Sequence, residues 1–398
     1  MTSRGVAALA AGLLLTATSG LPVLAQQRPP GLVPDPTSVE GGLWGAMERT
    51  EAEARRSADL NSDPALNDYV RGVACRVAVE YCGEIRVYVM DRPYLNAQMA
   101  PNGYMEVWSG LLLRAENEAQ LAFVLGHELG HFLENHSLER WNNNKAWATA
   151  AMVVSVGAGV AGAYYGVDMR GIGDLAYLAA VASVMNYSRS QEEEADAIGF
   201  ERMVAAGLEP TAAAAVWRQQ QAETRASTFR SVRQSEAMGS VFRTHPLTAE
   251  RVAALDTLAR DRPGGREERE RYRAAMRPHL AAWLADDLSR RDFNASLTLT
   301  ERLERDGLDL GVLEFHRGQI LRQRRDDGDL ELARDAYLTA TGYEDAPVAA
   351  WRELGDLQAR LGDPEAARVA WRTYLERATA ADDRWIVEDS LTALEAKP

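Results

Sequence analysis

Two histidines four residues apart, with a glutamate beside the first, are the residues of this chain best suited to chemistry. His127, Glu128 and His131 lie in the stretch LAFVLGHELGHFL, whose apolar residues recur every three or four positions and so predict one helix. Both imidazoles then leave the same face, one turn apart, where they could hold a single Zn²⁺. Glu128 would lie where a carboxylate can take a proton from an activated water. The alternative is a helix that only contains two partly buried histidines.

A second acidic segment, SRSQEEEAD at 188–196, could complete such a site. A catalytic zinc site requires a third protein ligand and keeps a fourth position for water. Glu192 and Asp196 are four residues apart and share a helix face, so Glu192 could bind the metal while Asp196 orients a ligand histidine. Glu193 and Glu194 are not four residues from Asp196, so the offset selects Glu192 as the ligand. The alternative is a solvated acidic helix start with a serine capping box, which does not compete with ligation by Glu192.

These motifs, followed by Thr-His-Pro at 244–246, resemble a zinc peptidase family that includes a periplasmic beta-barrel assembly-enhancing protease and the CAAX prenyl endopeptidase. The resemblance covers roughly residues 40 to 260, and three motifs in the same order make chance agreement improbable. It implies that His127, His131 and Glu192 bind one Zn²⁺ and that Glu128 is catalytic. His136, five residues after the motif, has no evident partner and is predicted at the surface.

His245 corresponds to the histidine of the family's His-Pro motif. Proline restricts the residue before it to extended geometry, so His245 is predicted on a loop directly before a helix that carries Arg251. His245 could occupy the open zinc position as a latch, donate to the oxyanion with Arg251 nearby, or only pack. We favour the latch, because a periplasmic member of the family is regulated in that way.

A small sheet is predicted ahead of the metal-binding helix. Residues 85–90 alternate between apolar and polar types, and two further strands, at about 96–100 and 104–108, flank a Pro-Asn-Gly turn. The family's sheet holds substrate along an edge strand, where main-chain hydrogen bonds give affinity with little sequence preference. The candidates for that edge are Asn96, Ala97, Gln98 and Met99. The alternative is an ordinary core hairpin.

The N-terminus predicts an exported, periplasmic protein. Residues 1–25 combine Arg4, an apolar run and a Val-Leu-Ala site for signal cleavage near Ala25, and a Pro-rich linker occupies 26–41. The alternative is a retained anchor. In an exported protein, Cys75 and Cys82 predict a disulfide rather than two buried thiols.

The middle of the chain raises the question of membrane contact. Residues 146–167 carry no charge and are long enough to span a bilayer, and a second apolar segment follows at 175–185. Glycines and polar residues dilute the first segment, so we favour a soluble or peripheral hairpin, with membrane contact through 146–185 left open. The formal net charge of −14 disfavours nucleic-acid partners.

The C-terminal third contains an internal repeat. GDLELAR at 328–334 matches GDPEAAR at 362–368 with an offset of 34 residues, which resembles tetratricopeptide repeats. We therefore predict a peptidase domain at 42–262 and a helical-repeat domain at 266–398. The repeats could form a groove for an envelope assembly partner or only cap the peptidase.

The sequence as a whole predicts an α+β protein, with a mostly helical, zincin-like peptidase domain and an all-α helical-repeat domain. The predicted function is an exported zinc endopeptidase that cleaves protein or peptide substrates, and the resemblance implies envelope protein quality control. The alternatives are a client-holding repeat module with a latent metal domain and an integral membrane peptidase.

Overall fold

The computed structural model describes residues 27–143, 187–237 and 249–395. Within these ranges the protein is mostly helical with one three-stranded sheet, which confirms the predicted α+β class with a helical C-terminal part. The predicted signal peptide, the apolar segments between 146 and 185, and His245 lie outside the described residues. In the three described ranges, no helix combines the length and the apolar character needed to cross a membrane.

Nine helices are described before residue 260: α1 Val39–Ala54, α2 Pro64–Val77, α3 Ser109–Arg114, α4 Glu118–Leu133, α5 His136–Asn143, α6 Arg189–Ala205, α7 Ala212–Ala226, α8 Arg230–Ala237 and α9 Ala249–Ala259. The starts of α2 and α4 are fixed by side chains that accept hydrogen bonds from the first turn. Asp63 accepts from the Ala65 amide at 2.9 Å, and Asn117 accepts from the Gln120 amide at 2.9 Å.

The sheet consists of β1 Arg86–Met90, β2 Ala97–Met99 and β3 Tyr104–Trp108. The central strand, β3, pairs in parallel with β1 and antiparallel with β2. The predicted turn between β2 and β3 contains Gly103 at φ +83°, a conformation that favours glycine. A Cβ atom there would also lie 2.4 Å from the Glu84 carbonyl oxygen. The sheet therefore places β2 at an edge, where it lies against α4.

The N-terminal segment packs against α4, and a disulfide links α2 to the turn before the sheet. The Arg28 side chain is buried, stacks on Trp44 and Phe132, and its backbone amide donates to the Leu133 carbonyl at 2.9 Å. The predicted linker therefore packs against the end of α4. The predicted disulfide between Cys75 and Cys82 is present and joins the end of α2 to the turn before β1.

Eight further helices form the C-terminal part: α10 Arg269–Met276, α11 Leu280–Ser289, α12 Phe293–Glu304, α13 Leu310–Arg324, α14 Asp329–Ala340, α15 Ala349–Arg360, α16 Pro364–Arg377 and α17 Arg384–Glu395. The sequence repeat corresponds to two helical pairs, α13 with α14 and α15 with α16. In each pair an aromatic ring lies directly on a glycine of the first helix: Tyr337 on Gly318, and Trp371 on Gly355. This arrangement is compatible with tetratricopeptide-like repeats.

One apolar core continues from the first half of the chain into the C-terminal helices. Phe123 of α4 belongs to the same buried cluster as Tyr272, Trp283 and Leu303. The Tyr272 hydroxyl donates to the carbonyl of Leu112 at 2.5 Å. The predicted junction at 262–266 therefore does not interrupt the core.

A buried ion network joins the same parts. Arg114 of α3 contacts Glu223 of α7 at 2.7 Å and Asp287 of α11 at 2.5 Å. Arg302 of α12 also pairs with Glu223 and donates to the Arg114 carbonyl at 2.7 Å. All four side chains are 6% exposed or less.

Candidate metal centre

Three buried side chains from two helices converge on one point. His127 and His131 of α4 and Glu192 of α6 offer donor atoms that all lie within 4.8 Å of one another. The two Nε2 atoms are 3.2 Å apart, and they lie 3.5 and 3.6 Å from the Glu192 carboxylate oxygens. Two imidazole nitrogens and one carboxylate oxygen are a donor set that suits a divalent transition metal. The chemistry of these residues therefore fits a metal.

Small residues allow the two helices to approach closely enough. A Cβ atom on Gly199 of α6 would lie 2.6 Å from the His127 backbone nitrogen. A Cβ atom on Gly130 of α4 would lie 2.9 Å from the Ala195 Cα atom, and Gly126 faces Gly199 in the same way. The short distance between the helix backbones brings Glu192 within reach of both histidines.

The start of α6 is set by its own sequence. Ser188 accepts a hydrogen bond from the Gln191 amide, and the Gln191 side chain accepts one from the Ser188 amide, which forms a capping box. Glu192 is the next residue and is fully buried. The capping box and a Glu192 that faces both histidines therefore coexist on this helix.

Asp196 lies behind His127, as the four-residue offset predicted. Its Oδ1 atom is 2.9 Å from His127 Nδ1, on the far side of the ring from Nε2. Burial disfavours the charged imidazole, but the bonds to Asp196 and Glu192 outweigh it and raise the pKa of His127 to about 9. Burial also opposes the charge on Asp196, yet the Arg251 cation keeps the pKa of this carboxyl below its usual value.

Arg251 contacts both Glu192 and Asp196. Its Nε and Nη2 atoms donate to Asp196 at 2.7 and 2.8 Å, and Nη1 lies 2.7 Å from Glu192. Each guanidinium nitrogen thus contacts a carboxylate, and the side chain is 1% exposed. These contacts indicate a positioning role for Arg251. The predicted partnership with His245 stays a prediction, because His245 lies outside the described residues.

His131 has a different environment. Its ring stacks on Tyr187, with centroids 3.7 Å apart, and the Tyr187 hydroxyl lies 2.9 Å from the Ser137 hydroxyl. The Nδ1 atom of His131 lies 2.9 Å from Nδ1 of His136. The expectation that His136 is a surface residue is wrong, since only 2% of it is exposed. Asn135, at φ +54°, turns the chain so that α5 returns beside α4.

Glu128 and the predicted edge strand lie on α4 or beside it. Glu128 is 3% exposed and follows His127 on α4. Of the predicted edge residues Asn96–Met99, the last three form β2, and the Asn96 carbonyl accepts a hydrogen bond from the Trp108 amide at 3.0 Å. Because β2 lies against α4, the edge strand and the metal candidates belong to one region. The sequence analysis did not predict that His136 and Tyr187 contact His131, although each lies next to a recognised motif.

The region that contains the sheet, α4 and α6 also matches a known protein family. Residues 61–259, half of the chain, match the model of Peptidase family M48, and the chain belongs to this family. Among its relatives is a putative beta-barrel assembly-enhancing protease of Vibrio cholerae, 28% identical over 265 residues, which are 63% of this chain and 52% of the relative.

Two other relatives share shorter stretches. The metalloprotease YcaL of Escherichia coli is 35% identical over 114 residues, 29% of this chain and 42% of the relative. The mitochondrial metalloendopeptidase OMA1 of Arabidopsis thaliana is 30% identical over 131 residues, 33% of this chain and 24% of the relative. The chain spans about half, or less, of the length of these curated relatives.

Proposed function

We propose that this protein is a zinc-dependent metalloendopeptidase that hydrolyses peptide bonds in protein substrates. The observation that carries the proposal is the buried group of His127, His131 and Glu192, in which the ligand His127 is itself oriented by Asp196. Outer partners of this kind fix the tautomer of a ligand histidine and raise its basicity. Membership of Peptidase family M48 supports the reaction class.

The chemistry divides between the metal and the chain. When bound, Zn²⁺ polarises the scissile carbonyl and lowers the pKa of the attacking water. Glu128 accepts the proton of that water and later passes it to the leaving amine. Asp196, held by Arg251, accepts a hydrogen bond from the Nδ1–H group of His127. The lone pair of His127 Nε2 can then bind the metal.

The edge of the sheet is the proposed substrate site. Among the described residues, β2 pairs with β3 on one side only, so its outer edge can take an extended polypeptide as an additional strand. Asn96, Ala97, Gln98 and Met99 would contribute main-chain groups. Binding through main-chain groups suits an enzyme that accepts many sequences.

The proposed setting is quality control of envelope proteins in the periplasm. The names of the beta-barrel assembly-enhancing relatives and the predicted signal at 1–25 support it. The helical repeats would then contact an envelope assembly partner. A client-holding module with a latent metal domain is the alternative, and turnover separates the two.

The test is metal content and casein cleavage for the purified chain and matched variants. Glu128→Gln should retain zinc and lose about 10²–10⁴-fold in turnover, because the amide cannot accept the proton. His131→Ala and Glu192→Ala should instead lose zinc, because each removes a ligand.

Two controls change the same residue types elsewhere. Glu134→Gln alters a carboxylate just beyond α4, and His279→Ala removes a histidine that pairs with Asp63, so both should keep zinc and activity. Equal cleavage by the wild type and Glu128→Gln would refute the assignment. Zinc without turnover in the wild type would favour the client-holding alternative.

A further inference from the structure

We infer that His136 is a positioning residue that fixes the proton of the ligand His131, in the way that Asp196 does for His127. The inference rests on the proposed metal site. Its basis is the 2.9 Å separation of His131 Nδ1 and His136 Nδ1, both on buried rings.

The proton positions follow from the geometry. A metal takes the lone pair of His131 Nε2, so the proton of neutral His131 is on Nδ1. At 2.9 Å that N–H donates to His136 Nδ1, which must therefore be unprotonated. The proton of His136 is then on Nε2, which faces the Glu194 carboxylate at 3.3 Å. Each donor in the series thus meets an acceptor.

The two ligand histidines therefore receive unequal support. His127 donates to a buried carboxylate that Arg251 holds through two hydrogen bonds. His131 donates to a neutral imidazole, and the anion behind it, Glu194, has a side chain that is 51% exposed. The Tyr187 ring, stacked on His131, fixes the plane of the imidazole but offers Nδ1 no acceptor in this contact. His136 Nδ1 lies within hydrogen-bond distance of His131 Nδ1 and can act as the acceptor that orients this proton.

The turn after α4 builds this contact. Asn135 is in the left-handed conformation, and α5 begins at His136, directly beyond it. The spacing of five residues between His131 and His136 places the two rings across this turn, with centroids 5.1 Å apart. A ligand and its supporting residue thus come from one continuous segment.

The experiment measures zinc affinity by chelator competition in the Glu128→Gln chain, which avoids self-cleavage. His136→Leu fills the space but has no acceptor, and it should weaken zinc binding about 10–100-fold, the usual effect of losing such a partner. In His136→Asn an amide oxygen can occupy the position of Nδ1, so this variant should recover most of the loss. His316→Leu removes another buried histidine, on α13, and should leave zinc affinity unchanged.

Nitrogen-15 spectra of the zinc-loaded parent give an independent readout. They should show His131 protonated at Nδ1 and His136 at Nε2. Unchanged affinity in His136→Leu, equal losses in the Leu and Asn variants, or a proton on His136 Nδ1 would overturn the inference and leave the proposed function intact. A parent that binds no zinc would overturn both.

Discussion

Arg251 is a cation that stabilises the buried carboxylates of Glu192 and Asp196 in the metal-free protein. It contacts both Glu192 and Asp196, whose side chains are 0% and 5% exposed. A buried carboxylate without a partner is costly, because the interior solvates charge poorly. The residue therefore stabilises the site before any metal arrives.

We predict that Arg251→Leu lowers the free energy of unfolding of the metal-free protein by about 3–5 kcal/mol. The deficit should shrink at saturating zinc, because the bound cation then compensates Glu192. Urea unfolding with chelator and with zinc measures both values. Arg218→Leu breaks a half-exposed pair with Asp256 and should change little in either condition. An equal deficit with and without zinc would contradict this account.

The sequence predicted those residues of the site that lie at helical spacing. His127 with His131, and Glu192 with Asp196, share a face because each pair is four residues apart, and the structure brings both pairs together. The sequence did not predict the contact between His131 and His136, because it forms across a turn whose geometry depends on Asn135, a residue in the left-handed conformation. A spacing of three or four residues indicates which residues share a helix face, but not how the chain turns after the helix ends.

At the scale of elements, the distance between α4 and α6 determines whether the donor groups meet. Gly126 and Gly130 on α4 face Gly199 and Ala195 on α6, so the helices touch backbone to backbone. None of these residues offers a donor atom. They act on the site by setting how far Glu192 lies from the histidines.

We predict that Gly199→Ala weakens zinc binding and costs about 1–3 kcal/mol of stability, because its Cβ atom would lie 2.6 Å from the His127 nitrogen. Gly72→Ala is the matched control, since this helical glycine of α2 has nothing within 4 Å of an added Cβ atom. It should leave zinc affinity unchanged and stabilise the helix slightly. Chelator competition and thermal unfolding of the two variants decide the matter. Equal zinc affinities would show that the crossing distance does not control the site.

The positions of the strands along the chain were predicted more accurately than the packing of helices against one another. The strand predicted at 104–108 is β3, the predicted turn lies between β2 and β3, and β2 is a shortened form of the predicted 96–100. The close crossing of α4 and α6 was not predicted, since periodicity shows which face is apolar but not which helix covers it.

At the scale of the whole molecule, the C-terminal helices belong to two different environments. Helices α10 to α12 share the core of the metal-binding region and supply Asp287 and Arg302 to the buried ion network. Leu313 of α13 also belongs to this core, whereas most other buried apolar residues of the helical pairs form separate clusters, which include Tyr337 and Trp371. The sequence could not reveal this division, because all of these helices show similar apolar patterns.

We predict different outcomes for two truncations. Removing 266–398 should abolish folding, because it takes away Tyr272, Trp283 and half of the ion network. Removing 328–398 should leave a folded chain that binds zinc with nearly unchanged affinity. Circular dichroism, thermal unfolding and chelator competition compare the two. A folded, zinc-binding chain that ends at residue 265 would show that the shared core is dispensable.

The capping box at the start of α6 fixes the position of Glu192, the proposed third ligand, within its own helix. Ser188 and Gln191 define the first turn through their own two hydrogen bonds, and Glu192 follows at once. Insertions or deletions upstream of Tyr187 therefore do not shift the register of Glu192 on its helix. We therefore expect that the segment before Tyr187 can be exchanged in a designed chain while Glu192 keeps its place.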